Sequence, residues 1–208
     1  MPANPPVAQH RPHLIPAWMV PLLSLPLRRI WDPPERLVLP LVHPGDRILE
    51  VGPGSGFFTF PMAKAAGPGG RLFCVELQET VLGRLRRGVA GRGLGQVEVR
   101  PCGADDLRIQ DLEASMDLAV AIDVLHETPD PASTLRQMAA ALRPGGVLLI
   151  REPRGHCPAP LFQAELAWAV LAGLEPRAGA LDFGPRAQVA LFRKAGPDQG
   201  DVPARQGY

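Results

Sequence analysis

The sequence predicts an α/β fold in which helices cover both faces of a doubly wound, mostly parallel sheet. Short apolar runs of strand length alternate with amphipathic helical patterns between residues 45 and 194. The first apolar run, 48–51, leads directly into a glycine-rich turn and a helical pattern. Because right-handed crossovers join such strands, their carboxyl ends meet at one edge of the sheet, where ligands of these folds bind.

The elements follow one another in strict order. The patterns predict strands at 48–51, 71–76, 97–100, 116–123, 147–152, 174–181 and 188–194. Helices are predicted at 57–66, 79–90, 132–142 and 160–172. Asp130 and Pro131 are typical of an N-cap followed by proline at the first helical position. Gly145 and Gly146 predict a turn before the fifth strand.

Composition limits the size and the partners of this domain. The 208 residues suffice for one α/β domain with a core and are too few for two. With 22 basic and 21 acidic residues the net charge is +1, so we expect no nucleic acid partner. Three dispersed cysteines are typical of reduced thiols in a cytoplasmic protein. No apolar run reaches the ~20 residues of a membrane span, and we expect a monomer or homodimer.

The two ends of the chain differ in composition from its middle. Residues 1–16 are rich in proline and predict a flexible arm. From Ile15 to Ile30 the sequence is apolar but interrupted by Pro16, Pro21 and Pro26, which predicts short helices within residues 17–44. Residues 195–208 are polar, contain glycine and proline, and predict a disordered tail. The folded domain is therefore expected at 45–194.

The glycine-rich turn predicts a binding site for a small polar molecule. Gly52, Gly54 and Gly56 allow positive φ angles and close approach of a ligand to the backbone. A dinucleotide turn carries a third glycine where this chain has Phe57. The carboxylate of Glu50 would repel a pyrophosphate and attract an ammonium group. A zwitterionic nucleoside bearing a sulfonium therefore suits the turn better than a dinucleotide.

The turn also carries a family resemblance. The run Glu50-Val51-Gly52-Pro53-Gly54-Ser55-Gly56 resembles the first motif of the class I S-adenosylmethionine-dependent methyltransferases. Its flanks resemble the type 11, or ubiquinone/menaquinone-methyltransferase-like, group, and Leu142-Arg143-Pro144-Gly145-Gly146 is a second recognisable feature. The resemblance covers roughly residues 45–194. It implies a seven-stranded Rossmann-like sheet with the last strand antiparallel, an N-terminal helical cap and S-adenosyl-L-methionine as the cofactor.

The resemblance also implies which residues hold the cofactor. Glu76, at the end of the second strand, would accept hydrogen bonds from both ribose hydroxyls. The adenine would lie beside Ala104 and Asp105, although Gly103 stands where family members commonly carry an acid. The backbone carbonyl of Asp123 would accept from the ammonium group. The expected cofactor-binding set is Glu50, Gly52, Pro53, Gly54, Gly56, Phe57, Glu76, Leu77, Ala104, Asp105 and Asp123.

The implied reaction is in-line displacement of the sulfonium methyl by a nucleophile of a small-molecule acceptor. Positioning and exclusion of water can supply much of the rate, so a base is not obligatory. If a base acts, the candidates are His126 and His156, because imidazole accepts a proton near neutrality. The alternative is that these histidines cap a helix or order a loop.

Two other functions stay open. The chain could methylate RNA or protein, which its neutral charge and lack of an added recognition domain disfavour. It could also bind S-adenosylmethionine without transferring a methyl group. We predict no metal site, because the spacing of His126, Glu127, His156 and Cys157 matches neither the ion-dependent nor the arsenic-methylating branch of the family.

Overall fold

A computed structural model of the chain describes residues 33–178 and 186–196. The predicted arm at 1–16, the first half of the predicted cap at 17–32 and nearly all of the predicted tail lie outside these residues. The described part of the cap segment contains a one-turn helix, α1 (Pro34–Leu37), and a 3-10 turn, Leu39–Leu41. Leu37 and Val38 are buried in the core on one face of the sheet.

Seven strands form a single sheet. They are β1 (Arg47–Val51), β2 (Arg71–Glu76), β3 (Val97–Pro101), β4 (Met116–Ile122), β5 (Leu142–Pro153), β6 (Leu174–Pro176) and β7 (Ala187–Lys194). Their order is β3-β2-β1-β4-β5-β7-β6, and β7 runs antiparallel to both β5 and β6. This confirms the predicted doubly wound sheet. The chain reverses its direction of travel across the sheet between β1 and β4, where such folds bind ligands.

Within residues 33–178 and 186–196, four helices of eight or more residues cover the two faces of the sheet. They are α2 (Thr59–Ala66), α3 (Glu79–Ala90), α4 (Pro131–Ala141) and α5 (Ala159–Leu171). Alternate residues of β1 enter different cores: Ile48 packs in the core that contains Met62 of α2, and Leu49 packs in the core that contains Leu135 of α4. As predicted, Asp130 caps α4 by accepting from the amide of Ser133 at 2.8 Å.

Three predicted boundaries are wrong. Helix α2 begins at Thr59 rather than at residue 57, because the glycine turn continues through Phe58. Strand β5 begins at Leu142 rather than at residue 147, because the predicted turn is absorbed by a register shift between the pairs Met116–Leu142 and Leu118–Val147. Strand β6 ends at Pro176; part of its predicted extension to residue 181 lies outside the described residues. Among the helices described, none is long and apolar enough to cross a membrane.

Candidate functional site

Several predicted site residues lie together at the carboxyl ends of the central strands. Val51, which follows Glu50 in β1, pairs with Val75 of β2 and with Ala121 of β4. The three strands therefore end at the same level, and the glycine turn, Glu76 and Asp123 follow them at one edge of the sheet. Parallel pairing of the strands produces this convergence.

The three glycines of the turn differ in what a side chain at each position would contact. All take positive φ angles: +69° at Gly52, +53° at Gly54 and +85° at Gly56. A Cβ on Gly52 would lie 2.5 Å from Cγ2 of Val124, and one on Gly56 would lie 2.6 Å from Cζ of Phe60. A Cβ on Gly54 would meet nothing described within 4 Å. Packing therefore requires glycine at the outer two positions, and Gly54 presents bare backbone to open space.

Pro53 and Phe57 support the turn. The carbonyl of Pro53 accepts from the amide of Gly56 at 3.0 Å, which closes the turn. The ring of Phe57 packs edge to face on that of Phe58, with the ring centroids 4.9 Å apart. Both predicted residues thus have contacts that shape the turn itself.

Glu50 is buried beneath the turn. Its Oε2 accepts from Thr59 Oγ1 at 2.6 Å and from Cys74 Sγ at 3.4 Å, on the α2 face of the sheet. Burial raises the pKa of this carboxyl to about 7, although the two hydrogen bonds oppose the rise. The group predicted to attract an ammonium is therefore held by neutral donors of the protein.

Glu76 connects the second strand to the glycine turn. Its side chain is buried, and Oε1 accepts from the amide of Gln78 at 2.9 Å. Burial raises its pKa, while the amides of Gln78, Leu77 and Gly54 favour the ionised form. The predicted ribose carboxylate thus lies against the same Gly54 that faces open space. Leu77, beside it, is 39% exposed, which is unusual for a large apolar side chain here.

The predicted adenine residues lie at the tip of a loop. The amide of Gly103 donates to the carbonyl of Asp106 at 2.7 Å, which closes a tight turn. Ala104 and Asp105 are exposed between them, and the Asp105 carbonyl accepts from Gln137 Nε2 at 3.1 Å. The side-chain hydrogen bonds in this loop belong to Asp106, whose Oδ1 accepts from the amide of Arg108 at 2.8 Å.

Asp123 has an unusual conformation for a residue other than glycine. Its φ is +58°, and its amide donates to the carbonyl of Arg151 at 2.8 Å. Its carboxylate also forms an ion pair with the buried guanidinium of Arg151. The end of β4 is thereby fixed to the neighbouring strand β5 by both the backbone and the side chains.

His126 is buried in the 3-10 turn Leu125–Glu127 that follows β4. Its Nδ1 is hydrogen-bonded to the carboxylate of Glu152, and its Nε2 lies 3.8 Å from Oε1 of Glu127. Burial by itself would lower the pKa of this imidazole, but the hydrogen bond and charge of Glu152, with the charges of Glu127 and Asp123, raise it overall. His156 follows β5, is exposed, and has its ring centroid 6.1 Å from that of His126.

Known proteins are similar to this chain in sequence or in fold. A nocamycin O-methyltransferase from Saccharothrix syringae is 33% identical over 132 residues, which are 58% of this chain and 43% of that protein. A ubiquinone/menaquinone biosynthesis C-methyltransferase from Ectopseudomonas mendocina is 29% identical over 63% of this chain and 50% of that protein. The chain thus spans half or less of these relatives. The crystal structure of a SAM dependent methyltransferase from Aquifex aeolicus superposes with a TM-score of 0.76 over 86% of this chain and 99% of that one, at 20% identity.

A family model described as a methyltransferase domain matches residues 49–148. This region contains the glycine turn, Glu76, Asp123 and His126. Over these residues the chain is similar to the class I S-adenosylmethionine-dependent methyltransferases. The predicted resemblance, the predicted Rossmann-like sheet and the predicted enzyme family are confirmed, and the cofactor of that family is S-adenosyl-L-methionine.

The structure adds residues that the sequence analysis missed. Arg151 and Glu152, at the end of β5, contact Asp123 and His126 respectively. The signal available in the sequence was a pair of charged residues that ends an apolar strand. Thr59 was missed because nothing in a helical pattern shows which strand residue lies beneath it.

A second buried carboxyl lies near Glu152. Glu165 of α5 is fully buried, and its Oε1 lies 3.8 Å from the Sγ of Cys157. Burial, followed by the charge of Glu152, raises the pKa of Glu165 to about 8. Burial also raises the pKa of the Cys157 thiol well above its usual range. Across residues 33–178 and 186–196, no group of three or more His, Cys, Asp or Glu side chains is arranged to hold a metal ion.

Proposed function

We propose that this chain transfers the methyl group of S-adenosylmethionine to a small-molecule acceptor at the carboxyl edge of its sheet. The observation that carries the proposal is the contact between the buried carboxyl of Glu76 and the amide of Gly54. This contact supports the assignment of Glu76 to the ribose, because it sets that carboxyl beside a turn glycine with no described atom within 4 Å of an added Cβ. When bound, the cofactor supplies an electrophilic sulfonium methyl, and the protein binds, orients and excludes water.

The positions described above support the following proposal for the cofactor-binding residues. Glu76 accepts from the ribose hydroxyls, and the exposed loop at Ala104 and Asp105 lies beside the adenine, with Leu77 as an apolar contact. The turn from Gly52 to Gly56 and the carbonyl of Asp123 face the methionine end. Glu50 supports the glycine turn from beneath, because its carboxyl already accepts from Thr59 and Cys74.

The acceptor is proposed to be a small molecule for two reasons. The matched relatives are named for nocamycin and for ubiquinone/menaquinone. The net charge of +1 gives no broad positive surface for nucleic acid. If the acceptor must lose a proton, the exposed imidazole of His156 is better placed to receive it than His126, which is buried among carboxylates.

Isothermal titration calorimetry and a radiolabel assay test the proposal in sequence. Calorimetry with S-adenosylmethionine and S-adenosylhomocysteine should show binding to a single site. Transfer of a tritiated methyl group is then assayed against cell extract separated into small molecules, RNA and protein, and label should enter the small-molecule fraction. Label confined to RNA or protein would contradict the proposed acceptor. Binding without any transfer would favour a non-catalytic cofactor-binding protein.

A further inference from the structure

The end of β5 carries two consecutive charged residues that lie on opposite faces of the sheet. Arg151 contacts Asp123, and Glu152 contacts His126. Both partners belong to the segment that follows β4, beside the glycine turn. Strand β5 therefore holds this segment by one ion pair on each face.

Glu152 makes several contacts with that segment. It is 0% exposed. Its Oε1 accepts from the amide of Leu125 at 2.8 Å and from that of Val124 at 3.3 Å. Its Oε2 is bonded to Nδ1 of His126. A buried carboxylate with two amide donors and an imidazole partner is well compensated for its loss of hydration.

The charges around His126 favour its protonated form. Glu152 lies against Nδ1, Glu127 lies near Nε2, and Asp123 adds a third negative charge. The basic groups nearby are Arg151, which pairs with Asp123, and the exposed imidazole of His156, whose ring centroid is 6.1 Å away. The charge of Glu152 also acts on Glu165 and Cys157, two acids whose burial favours their neutral forms. The net environment of the imidazole is negative.

We propose that Glu152 is a positioning residue whose buried carboxylate holds His126 as an imidazolium, so that His126 acts as a fixed cation and hydrogen-bond donor rather than as the base. This inference deepens the proposed function and rests on it for its relevance to catalysis. The histidine already carries its proton at neutral pH, so a proton released by the acceptor goes elsewhere, to solvent or to His156. Glu152 fixes the ring and the 3-10 turn together.

Nuclear magnetic resonance of imidazole nitrogens tests the inference on the full chain without added cofactor. The signals of His126 are assigned with His126→Gln and followed over pH in wild type, Glu152→Gln and Glu113→Gln. In wild type the His126 pKa should lie above the ~6.5 of a free histidine. Glu152→Gln should lower it by about 1 or more, the effect of losing a close opposite charge. Glu113→Gln, an exposed acid before the start of β4, should leave it unchanged.

Two results would overturn the inference: a wild-type His126 that is neutral at pH 7, or a His126 pKa that does not fall in Glu152→Gln. Should that variant fail to fold, Glu127→Gln serves in its place, with a smaller fall expected because its oxygen lies 3.8 Å from Nε2. Cofactor binding is measured on the same samples by calorimetry. A neutral His126 in a protein that binds S-adenosylmethionine would refute this inference and leave the proposed function standing.

Discussion

Two buried carboxyls at the edge of the same sheet are stabilised in different ways. Glu50, on the α2 face, accepts from the uncharged Thr59 and Cys74. Glu152, on the face covered by α5, is bonded to His126 and to two backbone amides. Burial with neutral donors raises the pKa of Glu50 to about 7, whereas the charge of Glu152 raises the pKa of its histidine partner. Similar burial is thus accompanied by a raised carboxyl pKa at Glu50 and by a raised imidazole pKa in the partner of Glu152.

Removing the carboxylate of Glu152 should have the largest effect on the free energy of unfolding. Glu152→Ala leaves His126 and the amides of Val124 and Leu125 without their acceptor, and should lower the free energy of unfolding by about 3 to 5 kcal/mol. Urea denaturation followed by circular dichroism measures the loss. Glu152→Gln, which keeps the shape and one acceptor, should lose less. Equal losses in the two variants would mean that charge is unimportant at this position.

Disturbing the contact between Gly52 of the glycine turn and Val124 after β4 should have the next largest effect on the free energy of unfolding. Gly52→Ala places a Cβ 2.5 Å from Val124 at a φ of +69°, so it should lower the free energy of unfolding by about 2 to 4 kcal/mol. Gly54→Ala, with no described atom within 4 Å, should cost only about 1 kcal/mol for its positive φ. It should instead weaken binding of S-adenosylmethionine. A Gly54→Ala protein with wild-type affinity would place the ligand elsewhere.

Glu76 is a third buried carboxyl, and the donors described for it above are backbone amides. Glu76→Ala should weaken S-adenosylmethionine binding by about 1 to 3 kcal/mol, the range for a lost charged hydrogen bond. Calorimetry measures the change, and Glu79→Ala at an exposed position three residues later is the matched control. An unchanged dissociation constant in Glu76→Ala would remove this residue from the ribose.

The raised pKa of Glu50 should make the free energy of unfolding depend on pH. The pKa of Glu50 is raised from 4.5 to about 7, so the folded state holds a proton that the unfolded state releases. Its contribution to stability is complete below the unfolded pKa and is lost as pH rises through about 7. The free energy of unfolding of Glu50→Gln should therefore rise by about 2 to 3 kcal/mol relative to that of wild type between pH 5 and pH 8.5. A difference that does not change with pH, in denaturation at both values, would contradict the neutral state.

The strands and helices could be predicted from the sequence because each has its own local pattern of apolar residues. Helix α3 runs over the predicted residues 79–90, since apolar residues at Val81, Leu82 and Leu85 define its buried face. The start of β5 was misplaced because Gly145 and Gly146, which normally signal a turn, lie within a register shift of that strand. Such a shift depends on the partner strand and has no local pattern.

The candidate site was predictable at the strand ends and unpredictable in its partners. Glu50, Glu76 and Asp123 follow from parallel strands that end at one level. The pairing of Arg151 with Asp123 requires the β4–β5 register, which the sequence does not contain. The contact between Glu165 and Cys157 likewise depends on how α5 packs on the sheet.

The contact of Gly52 with Val124 has a consequence for how this protein can vary. The two positions lie in loops far apart in the chain, yet one methyl group at position 52 would occupy the space of the other residue's side chain. A larger residue at 52 becomes tolerable only after position 124 has shrunk and the backbone at 52 has left its positive φ. Laboratory evolution that starts from a single substitution there should meet a barrier, and escape from it should require paired changes in the two loops.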